Sequence, residues 1–357
     1  MTRGLTVDRY SVSYCLLVLL AGIAVSLLTP VLSLFLSDEL GVSSFKVGVY
    51  FTCYACAGIL VSQILAVISD RTGNRRIIVL IASLMGFLAM LLYSFSDSYE
   101  VIATLGVFML SFITSITPQL FAASGEAFGH FQYLLRDFDV TCLMETIPDF
   151  HNTPKRYQRF EEAVSRDEAG RAESVSEEIE EIRKRSSVCS VLTDQIQSGE
   201  LRQSVTHNDT KLNNVLFDSK TGRPLCVIDL DTVMPGLAAY DFGDSIRFGA
   251  NHNLEDERDL GKVEFDIHLY KVYAEGFLKG SGAIFKDREL QSLAWGARII
   301  TMEQAIRFLT DYLEGDRYYH TDRKGQNLDR ARVQLKLLGG MEEHFGQMLT
   351  ILENARA

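Results

Sequence analysis

Ser204-Val-Thr-His207-Asn-Asp209-Thr-Lys-Leu-Asn-Asn214 runs into Val215-Leu-Phe217, then Asp218-Ser-Lys-Thr-Gly-Arg223, then Leu225-Cys-Val-Ile-Asp-Leu230. The pattern predicts a short strand ending at His207, a second strand over Val215–Phe217, a polar turn over 218–223 and a third strand over Leu225–Leu230. Across it stands an H-x-D-x-x-x-x-N pattern, His207 to Asn214, followed fifteen residues later by Asp229. Asp and Asn also populate ordinary turns. In this order, with strand, turn and strand between them, they define a site.

Phosphoryl transfer asks for such a set. One carboxylate orients an attacking hydroxyl and accepts its proton, while an amide oxygen and a second carboxylate hold the Mg²⁺ that bridges ATP phosphates. A loop returning into a strand places Asp209 and Asn214 on one rim, and the next strand brings Asp229 beside them. The other reading is a chance cluster of turn residues.

Outward from this stretch, the chain divides by composition. Its 357 residues suit two domains. Residues 1–123 carry six Lys/Arg and six Asp/Glu, which leaves 29 of the 35 basic and 40 of the 46 acidic residues, and the whole net charge of −11, in 124–357. Neither part is a basic nucleic-acid-binding domain. Twelve charges in 123 residues also exclude a part surrounded by water. Glu161–Arg185 has a charged helical pattern that reads as a solvated face.

Four uncharged stretches, 12–36, 47–69, 77–96 and 101–125, are each long enough to cross about 30 Å of hydrocarbon. The first exceeds a signal-peptide core, and further spans follow it. Arg3 and Arg9 precede the first span and Arg71, Arg75 and Arg76 follow the second, whereas Asp38, Glu39, Lys46, Asp97 and Glu100 occupy the opposite turns. Because Lys and Arg favour the cytoplasmic side, the N-terminus and everything beyond residue 124 are expected inside. The six cysteines lack metal-ligand spacing apart from Cys53-Tyr-Ala-Cys56, which lies in an apolar run with no second pair and reads as inert thiols.

The turn Ser69-Asp-Arg-Thr-Gly-Asn-Arg-Arg76 resembles the D-R-x-G-x-R-R loop between helices two and three of major facilitator superfamily transporters. The surrounding sequence, from Pro30 to Thr117-Pro-Gln-Leu-Phe121, is most similar to sugar-efflux members. Asp70 can cap or pair with helix ends, Gly73 permits the tight turn, and Arg75 and Arg76 hold the headgroup side. The same residues fit any short cytoplasmic loop. The family's leading Gly, four residues before the Asp, is Ala66 here. Four spans make one three-helix repeat and one further helix, short of the two halves between which such transporters pass substrate, so transport by this chain alone is not expected.

The second part resembles the aminoglycoside phosphotransferase superfamily, and within it the N-acetylhexosamine 1-kinases. The resemblance rests on Phe131-Gln-Tyr-Leu-Leu135, Glu145-Thr-Ile-Pro-Asp-Phe-His-Asn-Thr153, Val205–Val215, Val227-Ile-Asp-Leu-Asp-Thr-Val-Met-Pro-Gly236 and Tyr240-Asp-Phe-Gly-Asp-Ser-Ile-Arg247. It implies transfer of the γ-phosphoryl group of ATP to the anomeric hydroxyl of an N-acetylhexosamine. Asp209 would be the base, Asn214 and Asp229 the Mg²⁺ ligands, and Asp231 a substrate or supporting carboxylate. Arg307 and Tyr318, in a late helical segment, would bind the sugar or else are helix-surface groups. Asp241 and Asp244 read as capping a helix and bracing the loop, or else as touching substrate. His151 either faces the sugar or is satisfied by backbone, and Trp295 reads as packing between helices.

The expected fold is therefore multi-domain. Residues 1–123 form an all-α segment of four transmembrane helices, a partial major facilitator fold, and 124–357 a mainly α kinase-like C-lobe with a small β element. The expected protein is a multi-pass protein of the cytoplasmic membrane with its C-terminal domain in the cytoplasm. Its partners are a small amino sugar and the lipid bilayer, not nucleic acid, and its cofactors ATP and Mg²⁺. Such kinases carry an N-terminal lobe with a lid and a Lys for the phosphates. The only Lys in 1–123 is Lys46, and no G-x-G-x-x-G precedes the loop. The expectation is a join near 122–126 of a transporter N-terminus to a kinase C-lobe, its activity impaired. A separate chain supplying the missing lobe, and a non-enzymatic fusion fragment, stand as alternatives.

Overall fold

The structure is a computed structural model that describes residues 31–72, 74–218 and 220–356, with the Asp70 side chain excepted. Arg3, Arg9, Cys15, Pro30, Gly73 and most of the first expected span (residues 12–30) lie outside the described residues. The contacts divide the chain into two compact units, one reaching Ala123 and including Leu216–Cys226, the other Ser124–Val215 with Val227–Ala357.

In the first unit, α1 (Ser44–Thr72), α2 (Arg75–Phe95) and the helical run α3 (Tyr99–Leu134) contain stretches long and apolar enough to cross a membrane. These correspond to the second to fourth expected spans. A backbone without water must satisfy its polar groups internally, which the helix does residue by residue. Small residues let these helices approach: a Cβ on Gly58, Gly86 or Gly106 would meet Thr114, Ile113 or Tyr93. Polar side chains pair among themselves. The buried hydroxyls of Tyr50 and Tyr93 share a 2.7 Å hydrogen bond, and Ser69 Oγ donates to Gln119 Oε1 at 2.7 Å. Arg75 Nη1 donates to the Gln119 carbonyl at 3.3 Å, and Asn74 caps α2 by accepting from Ile77 N–H. Phe45, Ile59, Leu60 and Phe87 are exposed, as a lipid-facing surface requires.

The run α3 contains a π turn at Ile102–Gly106 and a 3₁₀ turn at Phe112–Ser115, then continues as regular helix over Ile116–Leu134. The composition change near residue 124 therefore falls inside a helix.

The second unit continues with α4 (Thr153–Arg166), α5 (Ser176–Arg183) and α6 (Val191–Gln197). The charged stretch 161–185 is two helices rather than one, parted after Asp167 turns left-handed at φ 40°. Their apolar residues Phe160, Ala163, Ile179 and Ile182 are buried with Met302 and Ile306. Along the chain then come β1 (Ser204–Thr206), β2 (Val215–Phe217), β3 (Pro224–Val227) and β4 (Met234–Gly236), of which β1 and β4 lie in the second unit and most of β2 and β3 in the first. Strands β2 and β3 pair as a hairpin, whose turn forms because Asp218 Oδ1 accepts from Lys220 and Thr221 N–H and Gly222 takes φ 70°. Strand β1 pairs antiparallel with β4, with Val205 opposite Pro235. The third strand stops at Val227, short of the expected Leu230, since Asp229 adopts φ 65°.

Helices α7 (Ala238–Gly249), α8 (Ile267–Ser281), α9 (Asp287–Leu313), α10 (Gln326–Glu343) and α11 (Phe345–Arg356) complete the unit. Phe242 on α7 packs edge-on against Tyr270, Tyr273 and Phe277 of α8 at 5.3–5.7 Å. Helices α7 and α9 touch through Gly243 and Gly296. A Cβ on Gly296 would stand 1.9 Å from the Ala239 carbonyl oxygen, and one on Gly243 would stand 2.4 Å from that of Gly296. Trp295 packs against Phe345 at 4.8 Å, between α9 and α11.

Overpacking at such a crossing costs about 1–3 kcal/mol. Gly296→Ala is expected to destabilise the full chain by that amount. Gly339→Ala, on α10 where an added Cβ meets nothing within 4 Å, should stabilise it by about 0.5–1 kcal/mol. Thermal melts of the two variants in detergent check the opposite signs.

Candidate active site

Residues 207–214 leave β1 and turn back toward β2. The turn forms at Asn208, which adopts φ 64°, a conformation Asn tolerates better than most residues. The two N–H groups leading into this turn share one carboxylate: Asp241 Oδ1 accepts from Asn208 N–H at 2.8 Å and from His207 N–H at 3.0 Å. Asp241 Oδ2 accepts from Gln132 Nε2 at 2.7 Å. Asp241 is fully buried in α7. Burial pushes its carboxyl above the usual range, against the pull of His207 and these donors. One turn further on, Asp244 Oδ2 accepts from Thr210 N–H at 2.9 Å and its Oδ1 from Arg247 Nη2 at 3.0 Å. Burial there raises the carboxyl, but Arg247 and Thr210 outweigh it and hold Asp244 below its ordinary value. Ser245 Oγ donates to the Thr210 carbonyl. Both aspartates thus brace the loop. Neither caps α7, whose first residue follows Leu237 without a side-chain cap.

The His207 ring is buried edge-on between Phe128 and Phe131, its Nε2 2.9 Å from the Ile228 carbonyl oxygen and its Nδ1 accepting from Asp209 N–H. This ties the loop to the end of β3.

Asp209 and Asn214 come together. Asn214 Nδ2 donates to Asp209 Oδ2 at 3.0 Å and to the Asp209 carbonyl at 2.9 Å. Lys211 Nζ lies 2.7 Å from Asp209 Oδ1, so both carboxylate oxygens are engaged. Sequence reasoning missed Lys211; its place two residues after the aspartate was the available signal. Ile228 N–H donates to the Asn214 carbonyl at 2.9 Å, which sets the following residue, Asp229, beside the loop. Asp229 and Asp231, the latter in the 3₁₀ turn Leu230–Thr232, are exposed.

With its amide nitrogen turned to Asp209, Asn214 keeps Oδ1 for a cation, and Asp229 offers a carboxylate. One amide oxygen and one or two carboxylates, completed by water and phosphate oxygens, is the donor set Mg²⁺ takes. Among the described residues no three His, Cys, Asp or Glu side chains form a metal centre of their own.

Arg307 and Tyr318 meet at a second place, an open cleft also lined by Arg156, Arg159, Asp311 and Tyr319. Arg307 projects from α9 over the rings of Phe150 and Tyr319 at 5.7 and 5.6 Å. Tyr318 is not on a helix. It lies beyond the end of α9, in a turn that Asp311 organises by accepting N–H bonds from Arg317, Tyr318 and Tyr319. The Nδ1 of His151 is satisfied by a side chain rather than by backbone: it stands 2.9 Å from Oε1 of the buried Glu303. Burial raises Glu303, yet His151, Arg307 and Thr153 together hold it below the ordinary glutamate value.

Residues 110–278 match the Phosphotransferase enzyme family, and residues 14–132 match the Major Facilitator Superfamily. The two matches overlap within α3. Two segments of the chain are thus similar to two different families, the first to transporters and the second to phosphotransferases, and among the described residues three helices are long and apolar enough to cross a membrane. The first segment is similar to sugar efflux transporters. It is 45% identical over 119 residues to Sugar efflux transporter A of Dickeya chrysanthemi, covering 33% of this chain and 30% of that protein. It is 41% identical over 125 residues to Sugar efflux transporter C of Escherichia coli K12, covering 35% and 32%. The chain thus spans about a third of the length of the curated relatives it matches.

A hydrogen bond to a charged partner contributes about 1.5–3 kcal/mol. Asp241→Asn, which turns a donor toward donors, is expected to destabilise the chain by about 3 kcal/mol. Amide hydrogen exchange at His207 and Asn208 should quicken with it, and exchange in α1 should not.

Proposed function

We propose that residues 124–357 are an ATP-dependent phosphotransferase acting on the anomeric hydroxyl of an N-acetylhexosamine. Residues 1–123 tether it to the inner membrane, with the C-terminal domain in the cytoplasm. The observation that carries this reading is the Asp209–Asn214 pair in a loop braced from beneath by two buried aspartates. In the proposed reaction Asp209 accepts the proton of the anomeric hydroxyl. That oxygen bonds the γ-phosphorus as the bond to the bridging oxygen breaks, and ADP leaves with the electron pair. Each oxygen of Asp209 carries one contact at rest, to Lys211 or Asn214, and keeps a second lone pair for the hydroxyl. Asn214 and Asp229 would hold Mg²⁺, which neutralises charge on the phosphates when bound. Asp231, Arg307 and Tyr318 would orient the sugar.

Positioning and charge stabilisation supply most of the rate in this chemistry. Among the described residues of 31–123 there is no strand, and Lys46 is the one lysine of 1–123, so the reading includes impaired turnover. Neither family match points to a separate chain supplying a second lobe.

Purified full chain is expected to phosphorylate N-acetylglucosamine several powers of ten more slowly than an intact kinase of this type. Residual activity should vanish in Asp209→Asn and return when a family N-lobe replaces residues 1–123. Robust turnover by the chain itself would overturn the impairment.

Orientation has its own test. The positive residues Arg71, Arg75 and Arg76 favour the inner face. Reporter fusions after Phe45, Arg76, Ser98 and Gly129 should read outside, inside, outside and inside. An outside signal after Gly129 would overturn the four-span arrangement.

A further inference from the structure

His151 is a buried histidine with one nitrogen committed and one free. Its side chain is 9% exposed, and its Nε2 is buried without a hydrogen-bond partner. Leaving such an atom unpaired costs about 1–3 kcal/mol. The committed side is firmly built. Glu303 Oε1 takes the Nδ1 bond at 2.9 Å, and Oε2 accepts from Thr153 Oγ1 at 2.7 Å, which completes the carboxylate. The tautomer that donates Nδ1–H to Glu303 carries its lone pair on Nε2.

The ring's neighbours connect both parts of the proposed site. Phe150 lies at 4.6 Å, and its own ring is covered by Arg307, one turn beyond Glu303 on α9. On the other side Tyr240 lies at 4.9 Å, on the helix whose Asp241 and Asp244 hold the Asp209 loop. Two aromatic rings and one unpartnered polar atom stand together here.

We infer that His151 is a further sugar-binding residue, whose Nε2 accepts a hydrogen bond from one ring hydroxyl of the hexosamine while Glu303 fixes the imidazole. The inference rests on the proposed sugar kinase reading. It differs from a structural role for His151, in which the residue serves only as the partner of Glu303.

His151→Asn separates the two, because an asparagine amide can replace Nδ1 against Glu303 but leaves nothing at Nε2. The experiment measures equilibrium binding of N-acetylglucosamine and its 3-, 4- and 6-deoxy analogues to the detergent-solubilised full chain, wild type and H151N. H151N is expected to bind the parent sugar about tenfold more weakly, the worth of one hydrogen bond. One deoxy analogue should bind the two proteins alike. A folding defect would weaken all four sugars by the same factor, so the differential decides even if H151N melts lower. Equal binding of every sugar by both proteins, or one uniform loss across all four, would overturn the inference and leave the kinase reading standing. No binding of any sugar by the wild type would overturn both.

Discussion

The buried carboxylate of Asp241 accepts two successive backbone N–H groups of the H-x-D loop, and the conformation of that loop follows from the interaction. Both N–H groups precede the Asn208 Cα, where the chain reverses at φ 64°. The reversal carries Asp209 outward to meet Asn214 and leaves His207 inward between two phenylalanines. Desolvating a carboxylate costs several kcal/mol, and the donors return about as much, so the device specifies one loop conformation more than it stabilises the domain. It works only if α7 is itself fixed. The contact of Gly243 with Gly296 provides that, because glycine on both helices lets the backbones touch and leaves α7 little room to slide along α9.

The first unit obeys a different constraint. Helices gain little hydrophobic energy by associating in lipid, so close packing and internal polar pairs hold them together. Gly58, Gly86 and Gly106 serve the packing, and Tyr50–Tyr93 and Ser69–Gln119 the pairing. The run α3 meets both constraints in turn. Before residue 124 its neighbours are apolar spans. After it, Gly125 and Gly129 meet the backbone of α8, and Gln132 reaches Asp241. Nothing in the local sequence stops the helix between the two, since Pro118 falls in the first turn of the regular stretch, where a missing N–H is harmless.

Those physical differences explain what could be read in advance. Charge-free length marks a span whatever it packs against, and the Asp218–Gly222 turn and the H-x-D-x-x-x-x-N spacing are local, so all were legible. The division near residue 124 was legible as composition but not as structure, because helix propensity is indifferent to solvent. The β1–β4 pairing was not visible: strands of three residues carry no periodicity. Tyr318 read as helical because the apolar pattern continues, whereas Asp311 gathers the N–H groups beyond Leu313 and ends the helix. His151 and Glu303 lie 152 residues apart, and no spacing rule links them.

The groups that shape the Asp209 loop share one further property: they all come from the second unit. Phe128, Phe131 and Gln132 are the earliest in the chain, and the others lie between Ile228 and Ser245. A join at 122–126 therefore cuts just before the first residue the loop needs. On the proposed reading, the half of a phosphoryl-transfer site that faces the hydroxyl is built without help from the half that grips phosphate. Loss of the second half then weakens transition-state stabilisation without unfolding the first. A buried carboxylate preorganises Asp209 in any fusion that keeps Gln132 and α7, which is why an intact loop and a slow enzyme are compatible in one chain.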